Sequence, residues 1–149
     1  MIRMIRLSIL ILALCLSYAI AARAQQEVSG MIVKPFETLT FESETGDKNG
    51  PGITFLNGDP KSVTALIRFS GTVPMHTHSF AYEGVVIEGT VKHWALGQDE
   101  AAAPLLRPGS YWLQDKEPVH ADGCVSARCL VLVRTFGTID MTPYKDATR

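Results

Sequence analysis

The sequence predicts an all-β fold, a small antiparallel barrel or sandwich, on three observations. From Val28 onward no long stretch carries apolar residues at helical spacing, short runs rich in Val, Ile, Thr, Phe and Tyr recur instead, and Gly, Pro, Asn and Asp separate them. Parallel strands need long crossover connections, so short strands at close spacing imply antiparallel pairing.

In chain order, the first 24 residues stand apart. Arg3 and Arg6 precede an apolar run from Leu7 to Ala22, and Ala22-Arg23-Ala24 leads into Gln25-Gln26-Glu27. A charged start, an apolar middle and a small-x-small boundary predict a signal peptide cleaved before Gln25. The run is short of the roughly 20 apolar residues of a membrane span, although an uncleaved anchor is the alternative. Cys15 follows Leu14, too large a neighbour for lipid attachment, and belongs to the apolar run. Residues 25–149 are then expected to form one domain in the periplasm or outside the cell. Removing Arg3, Arg6 and Arg23 takes the formal net charge from −1 to −4. Such a chain gives no reason to expect nucleic acid, or after cleavage a membrane, as partner.

The expected strands are Ile32 to Pro35, Leu39 to Glu42, Ile53 to Asn57, Ser62 to Phe69, Gly84 to Ile87, Thr90 to Ala95, Ser110 to Leu113 and Cys129 to Phe136. Breakers lie between them at 46–52, Gly58-Asp59-Pro60, Glu88-Gly89, 101–104 and Pro108-Gly109. In the fourth strand Val63, Ala65, Ile67 and Phe69 share one face, with Ser62, Thr64 and Arg68 on the other. The acidic, alanine-rich segment from Gln98 to Pro104 reads as one helical turn or a loop.

The fourth strand leads into Met75-His76-Thr77-His78. Histidines one residue apart on a strand face the same way and can converge on one ion. Glu83 is an acid nearby, but on a regular strand Tyr82 shares the histidines' parity and Glu83 faces away unless a bulge re-aims it. After Pro108-Gly109 comes His120, with Gln114 six residues upstream on matching parity. Gln114, Tyr82 and His93 are expected beside the ion or facing a bound ligand. A cavity lined by Phe69, Tyr82, Val86, Tyr111 and Leu113 would be mainly apolar. Cys124 and Cys129 read as a disulfide in an oxidising compartment, with free thiols or a metal site as alternatives.

Gly71, His76-x-His78, the nearby acid, Gly89, then Pro108-Gly109 and His120 resemble the two motifs of the cupin superfamily. From Ile53 to Pro143 the chain is similar to uncharacterised cupins close to the acetylacetone-cleaving dioxygenases and to the cupin half of zinc-binding anti-sigma factors. The resemblance implies a jelly-roll-like double-stranded β-helix holding one divalent ion, Fe, Zn, Ni or Mn, on His76, His78 and His120. Glu83 is a less secure ligand, since the usual motif has its acid one position earlier, where this chain has Tyr82. It also implies a small-molecule substrate, such as a chelating carbonyl or enol in a dioxygenase-like reaction, and a homodimer formed through the early strands from Ile32 to Glu42. A non-catalytic module binding a metal or small ligand is the alternative.

Overall fold

The structure is a computed structural model that describes residues 31–43, 46–47, 50–57, 59 and 61–145. The segment read as a signal peptide lies outside them. The chain divides into two compact units, Met1–Leu39 and Thr40–Arg149. In the first, the described residues contain one 3-10 turn, Phe36–Thr38, closed by hydrogen bonds from Thr38 N and Oγ1 to Pro35 O at 2.9 and 2.7 Å. The strand expected from Ile32 to Pro35 does not form. The one expected from Leu39 to Glu42 is reduced to a single bridge, Glu42 to Ile53.

The second unit contains Gly52–Phe55 (β1), Thr64–Thr77 (β2), Tyr82–Glu88 (β3), Val91–Ala95 (β4), Tyr111–Gln114 (β5), His120–Thr135 (β6) and Thr142–Pro143 (β7). All pairings are antiparallel, in the order β1-β2-β6-β3-β5, with β4 beside β6 and β7 beside β2. The all-β reading is therefore right. The barrel is not closed among the described residues, because β1 and β5 do not meet. Glu100–Ala102 forms a 3-10 turn whose first free amide, that of Ala101, is capped by the Asp99 carboxylate, so the acidic segment is the helical turn it resembled. Among the described residues no helix is long and apolar enough to cross a membrane.

Two strands run further than their apolar patterns suggest. β2 passes Phe69 and continues to Thr77, with register shifts between Phe69 and Gly71 and between Val73 and His76. Gly71 takes φ 65° at the first shift, a conformation that favours glycine, and Pro74, which has no amide hydrogen to pair, sits within the second. β6 begins at His120 rather than Cys129. Between Cys124 and Cys129 it makes an excursion, since these residues pair with Gly71 and Phe69, only two apart on β2. A disulfide joins the two cysteines across it, with Cα atoms 5.7 Å apart. The β3–β4 turn packs on this excursion: Val125 N donates to Thr90 O (2.9 Å), and Arg128 pairs with Glu88 (2.8 Å). Gly89, at φ 84°, makes that turn possible, because a Cβ there would lie 2.6 Å from Arg128 O.

The core lies on one face of the sheet and consists of Phe69, Tyr82, Val86, Val91, Cys129, Val131 and Val133, with Ile67, Val73 and Trp112 against it. The inward face of β2 is the one its alternation indicates. On β5 the parity runs the other way from the expected lining. Tyr111 and Leu113 are 55% and 60% exposed, while Trp112 and Gln114 point inward. Gly84 explains Trp112, for the two are register partners and a Cβ on Gly84 would fall 2.1 Å from the indole.

Candidate metal centre

Strand register gathers the polar groups. His76 on β2 is opposite His120 on β6, His93 on β4 is opposite Asp122 on β6, and Tyr82 on β3 is opposite Gln114 on β5. His78 lies just beyond the end of β2, and its ring centroid is 4.8 Å from that of His76 and 5.1 Å from that of His120. The His76 and His120 centroids are 4.3 Å apart. His76, His78 and His120 thus form a group whose ligand atoms all lie within 4.8 Å of one another, both β-strand histidines being almost fully buried.

Backbone carbonyls fix the tautomers. Nδ1 of His76 donates to Pro74 O (2.7 Å), Nδ1 of His120 to Pro118 O (3.0 Å) and Nδ1 of His78 to Asp140 O. A carbonyl only accepts, so each proton sits on Nδ1 and the neutral ring keeps a lone pair on Nε2. Nε2 of His76 and Nε2 of His78 lie 3.2 Å apart. Two lone pairs at that separation repel, whereas two imidazoles on one ion with bonds of about 2.0–2.1 Å stand about 3 Å apart. The donor set fits a divalent cation.

Burial favours the neutral form of two of these rings, His78 and His120. Burial pulls His120 down to about 4, and burial, with the nearby His76, lowers His78 as well. The Ser79 amide donates to the Asp140 carboxylate (3.0 Å), and so does the Ser79 hydroxyl; together they fix the segment whose carbonyl orients His78. Burial pushes the Tyr82 phenol upward, with the Asp122 charge adding to it. Tyr82 therefore stays a hydroxyl, and its oxygen lies 3.2 Å from Nε2 of His120.

The other residues singled out in the sequence divide. Glu83 is not brought to the histidines: it faces the opposite side of β3 and accepts from the exposed Tyr111 hydroxyl at 3.2 Å. His93 and Gln114 do come in, one behind the other. Gln114 Nε2 donates to Asp115 O, which turns Oε1 toward His93 Nε2 (3.0 Å), and His93 Nδ1 meets Asp122 Oδ1 (2.7 Å). Burial opposes a charge on His93, but its hydrogen bond to Asp122, the charge of Asp122 and the bond to Gln114 outweigh that and raise its pKa. His93 also stacks on Trp112, at 5.4 Å and 27°.

Asp122 is the site residue that the sequence reading missed. Its Oδ1 is held by His93 and its Oδ2 lies 3.8 Å from His76 Nε2, so a carboxylate stands beside the histidines in place of Glu83. It also groups with His93 and His120 as a possible ligand set. The signal was present: Asp122 follows His120 by two, as His78 follows His76, and the same strand parity puts both on one face.

No protein-family model matches the chain, and no curated protein does. Solved structures do. An RmlC-like cupin from Shewanella frigidimarina is 15% identical, covers 82% of this chain and 95% of its own, and superposes with a TM-score of 0.56. An oxalate oxidase is 18% identical over 82% of this chain and 73% of its own, at 0.54. A structure of the DMSP lyases RdDddP and RnDddQII is 17% identical over 64% of this chain, at 0.55, and this chain spans 53% of that one's length. The fold is the cupin fold, the double-stranded β-helix, and proteins that share it include enzymes.

Proposed function

We propose that this protein is an exported, mononuclear metal-binding enzyme that acts on a small chelating carbonyl or enol compound in a dioxygenase-like reaction. The observation that carries the proposal is the convergence of three Nε2 lone pairs, each fixed by a carbonyl behind its own ring. A divalent ion held there by His76, His78 and His120 would supply Lewis-acid chemistry, and a redox-active one such as Fe(II) oxygen activation as well, with three protein ligands leaving room for an exchangeable partner. The chain's own residues do the rest. The carbonyls of Pro74, Pro118 and Asp140 hold the Nδ1 protons, Tyr82 offers a hydroxyl beside His120, and His93 holds the Asp122 carboxylate so that its second oxygen faces His76. Enzymes of this fold that act on small molecules support a small-molecule substrate, and the Cys124–Cys129 disulfide supports an oxidising compartment.

The test is metal analysis of protein purified from its native compartment, followed by single variants. One ion per chain is expected, falling sharply in His76→Ala, His78→Ala and His120→Ala. Loss of a ligand costs more than the roughly 10 to 100-fold typical of a supporting partner. Glu83→Gln is expected to keep the ion. A site emptied by Glu83→Gln but full in His120→Ala defeats the assignment. Oxygen uptake on adding a 1,3-dicarbonyl separates catalysis from a module that only binds.

A further inference from the structure

The three ring protons are held in two different ways. His76 and His120 each donate to a carbonyl two residues upstream, Pro74 O and Pro118 O, so each ring is oriented by its own stretch of chain, and both rings are almost fully buried. His78 lies just past the end of β2 with its side chain 19% exposed, and its Nδ1 donates to Asp140 O, 62 residues downstream. That carbonyl belongs to the connection from β6 to β7, which is pinned at both ends against the segment running from β2 into β3. Phe136 N donates to Ala81 O (3.0 Å), and Thr142 and Pro143 pair with Thr77 and His76. Between these pins Phe80 packs on Gly137, where a Cβ would fall 2.1 Å from the ring, and the Asp140 carboxylate accepts from Ser79 N (3.0 Å) and from Ser79 Oγ. A peptide carbonyl has no rotamer of its own, so the anchors of its residue decide where it stands. Ile139 and Met141, on either side of Asp140, line the cavity onto which His76 and His78 open.

Resting on the metal reading above, we propose that Asp140 is a positioning residue, through which residues 136–141 decide whether the site offers an ion two histidines or three. His76 and His120, opposite one another on β2 and β6, are a preformed pair. His78 joins them while Asp140 is fastened to Ser79 and leaves the pair when it is not. The carboxylate acts by where it holds the backbone rather than by its charge. Displacing the cavity wall formed by Ile139 and Met141 moves the partner of His78 with it, which ties access on that side to the completeness of the site.

The experiment compares Asp140→Ala with Asp140→Asn, because an asparagine can still accept from Ser79 N and can donate to Ser79 Oγ, which accepts as well as donates. NMR of the nitrogen-labelled histidine rings in metal-free protein reads each tautomer, and competition titration with Zn(II) reads the site. In Asp140→Ala the His78 ring is expected to lose its fixed Nδ1 proton while His76 and His120 keep theirs, which also shows that the variant is folded. Zinc affinity is expected to fall by roughly 10 to 100-fold, the range of a lost supporting partner. Asp140→Asn is expected to restore both readouts. If Asp140→Ala does not fold, Ser79→Ala, which removes one of the two anchors, is expected to move both readouts in the same direction by less. A His78 ring that stays fixed in Asp140→Ala, or a freed ring with unchanged zinc affinity, overturns the proposal. Asp140→Asn behaving like Asp140→Ala overturns it too, since charge and not position would then matter. Wild-type protein that binds no zinc while its His78 ring responds as expected overturns the metal reading, and with it the control of ligation, but not the hold of Asp140 on the ring.

Discussion

A histidine buried as a neutral ring costs stability in acid, where the unfolded chain takes up a proton that the folded chain refuses. The ordinary histidine value is 6.5, and burial holds His120 at about 4. In metal-free protein this contribution is whole above pH 6.5 and is lost as pH falls toward 4, and His78, lowered by burial too, has the same sign. His93 works in the opposite sense, because its raised pKa favours the fold below 6.5 and stops doing so above its folded value. Urea unfolding of metal-free protein is therefore expected to show a lower midpoint near pH 4.5 than near pH 7.5, with the difference reduced in His120→Gln. A pH-independent midpoint in the wild type, or the same dependence in the variant, would refute this. At this scale much was legible: the parity of His76 with His78 places both rings, and the parity of Tyr82 sends Glu83 outward. Asp122 was less legible because it lies in the polar, glycine-containing stretch His120 to Cys124, which carries no apolar alternation to mark it as strand and so to reveal its parity with His120.

The long strands show where apolar alternation stops being informative. β2 and β6 each carry a stretch of glycine and polar residues through the site, Gly71 to Thr77 and His120 to Cys124, and neither reads as a strand by itself. Their pairing, with His76 opposite His120, is what builds the centre, so its backbone was less legible than its side chains. The early strands failed for a related reason: Ile32 and Val33 look like strand residues but are 72% and 50% exposed. The disulfide was legible from spacing, and it staples an excursion within one strand. Closing a loop this short stabilises by about 2 kcal/mol in the chain-entropy model. Reduction, or the double variant Cys124→Ser with Cys129→Ser, is expected to lower the melting temperature by several degrees. Because the excursion packs on the β3–β4 turn rather than on the histidines, metal content is expected to stay. Loss of the ion on reduction, measured by elemental analysis, would show that the excursion supports the centre after all.

For the whole molecule, period-two patterning and the breaker residues were enough to fix an antiparallel all-β fold, whereas closure depends on whether the edge strands meet, which no local pattern encodes. Where the protein works depends on residues 1–24. On the proposal of export, Arg3 and Arg6 ahead of the apolar Leu7 to Ala22 run would give the charge asymmetry that orients a signal, and Ala22-Arg23-Ala24 would supply small residues at both specificity positions of its cleavage site. One further feature agrees with the proposal of export: the disulfide needs a compartment in which thiols stay oxidised. Intact mass of the protein recovered from the periplasm or medium is expected to match a chain beginning at Gln25, two hydrogens lighter than the reduced form. Replacing Ala22 and Ala24 with leucine is expected to block processing and leave a longer, membrane-associated species. A mass that retains Leu7 to Ala22 in the wild type, or wild-type protein found only in the cytoplasm with two alkylatable thiols, would place the metal centre in a reducing compartment and remove the case for export.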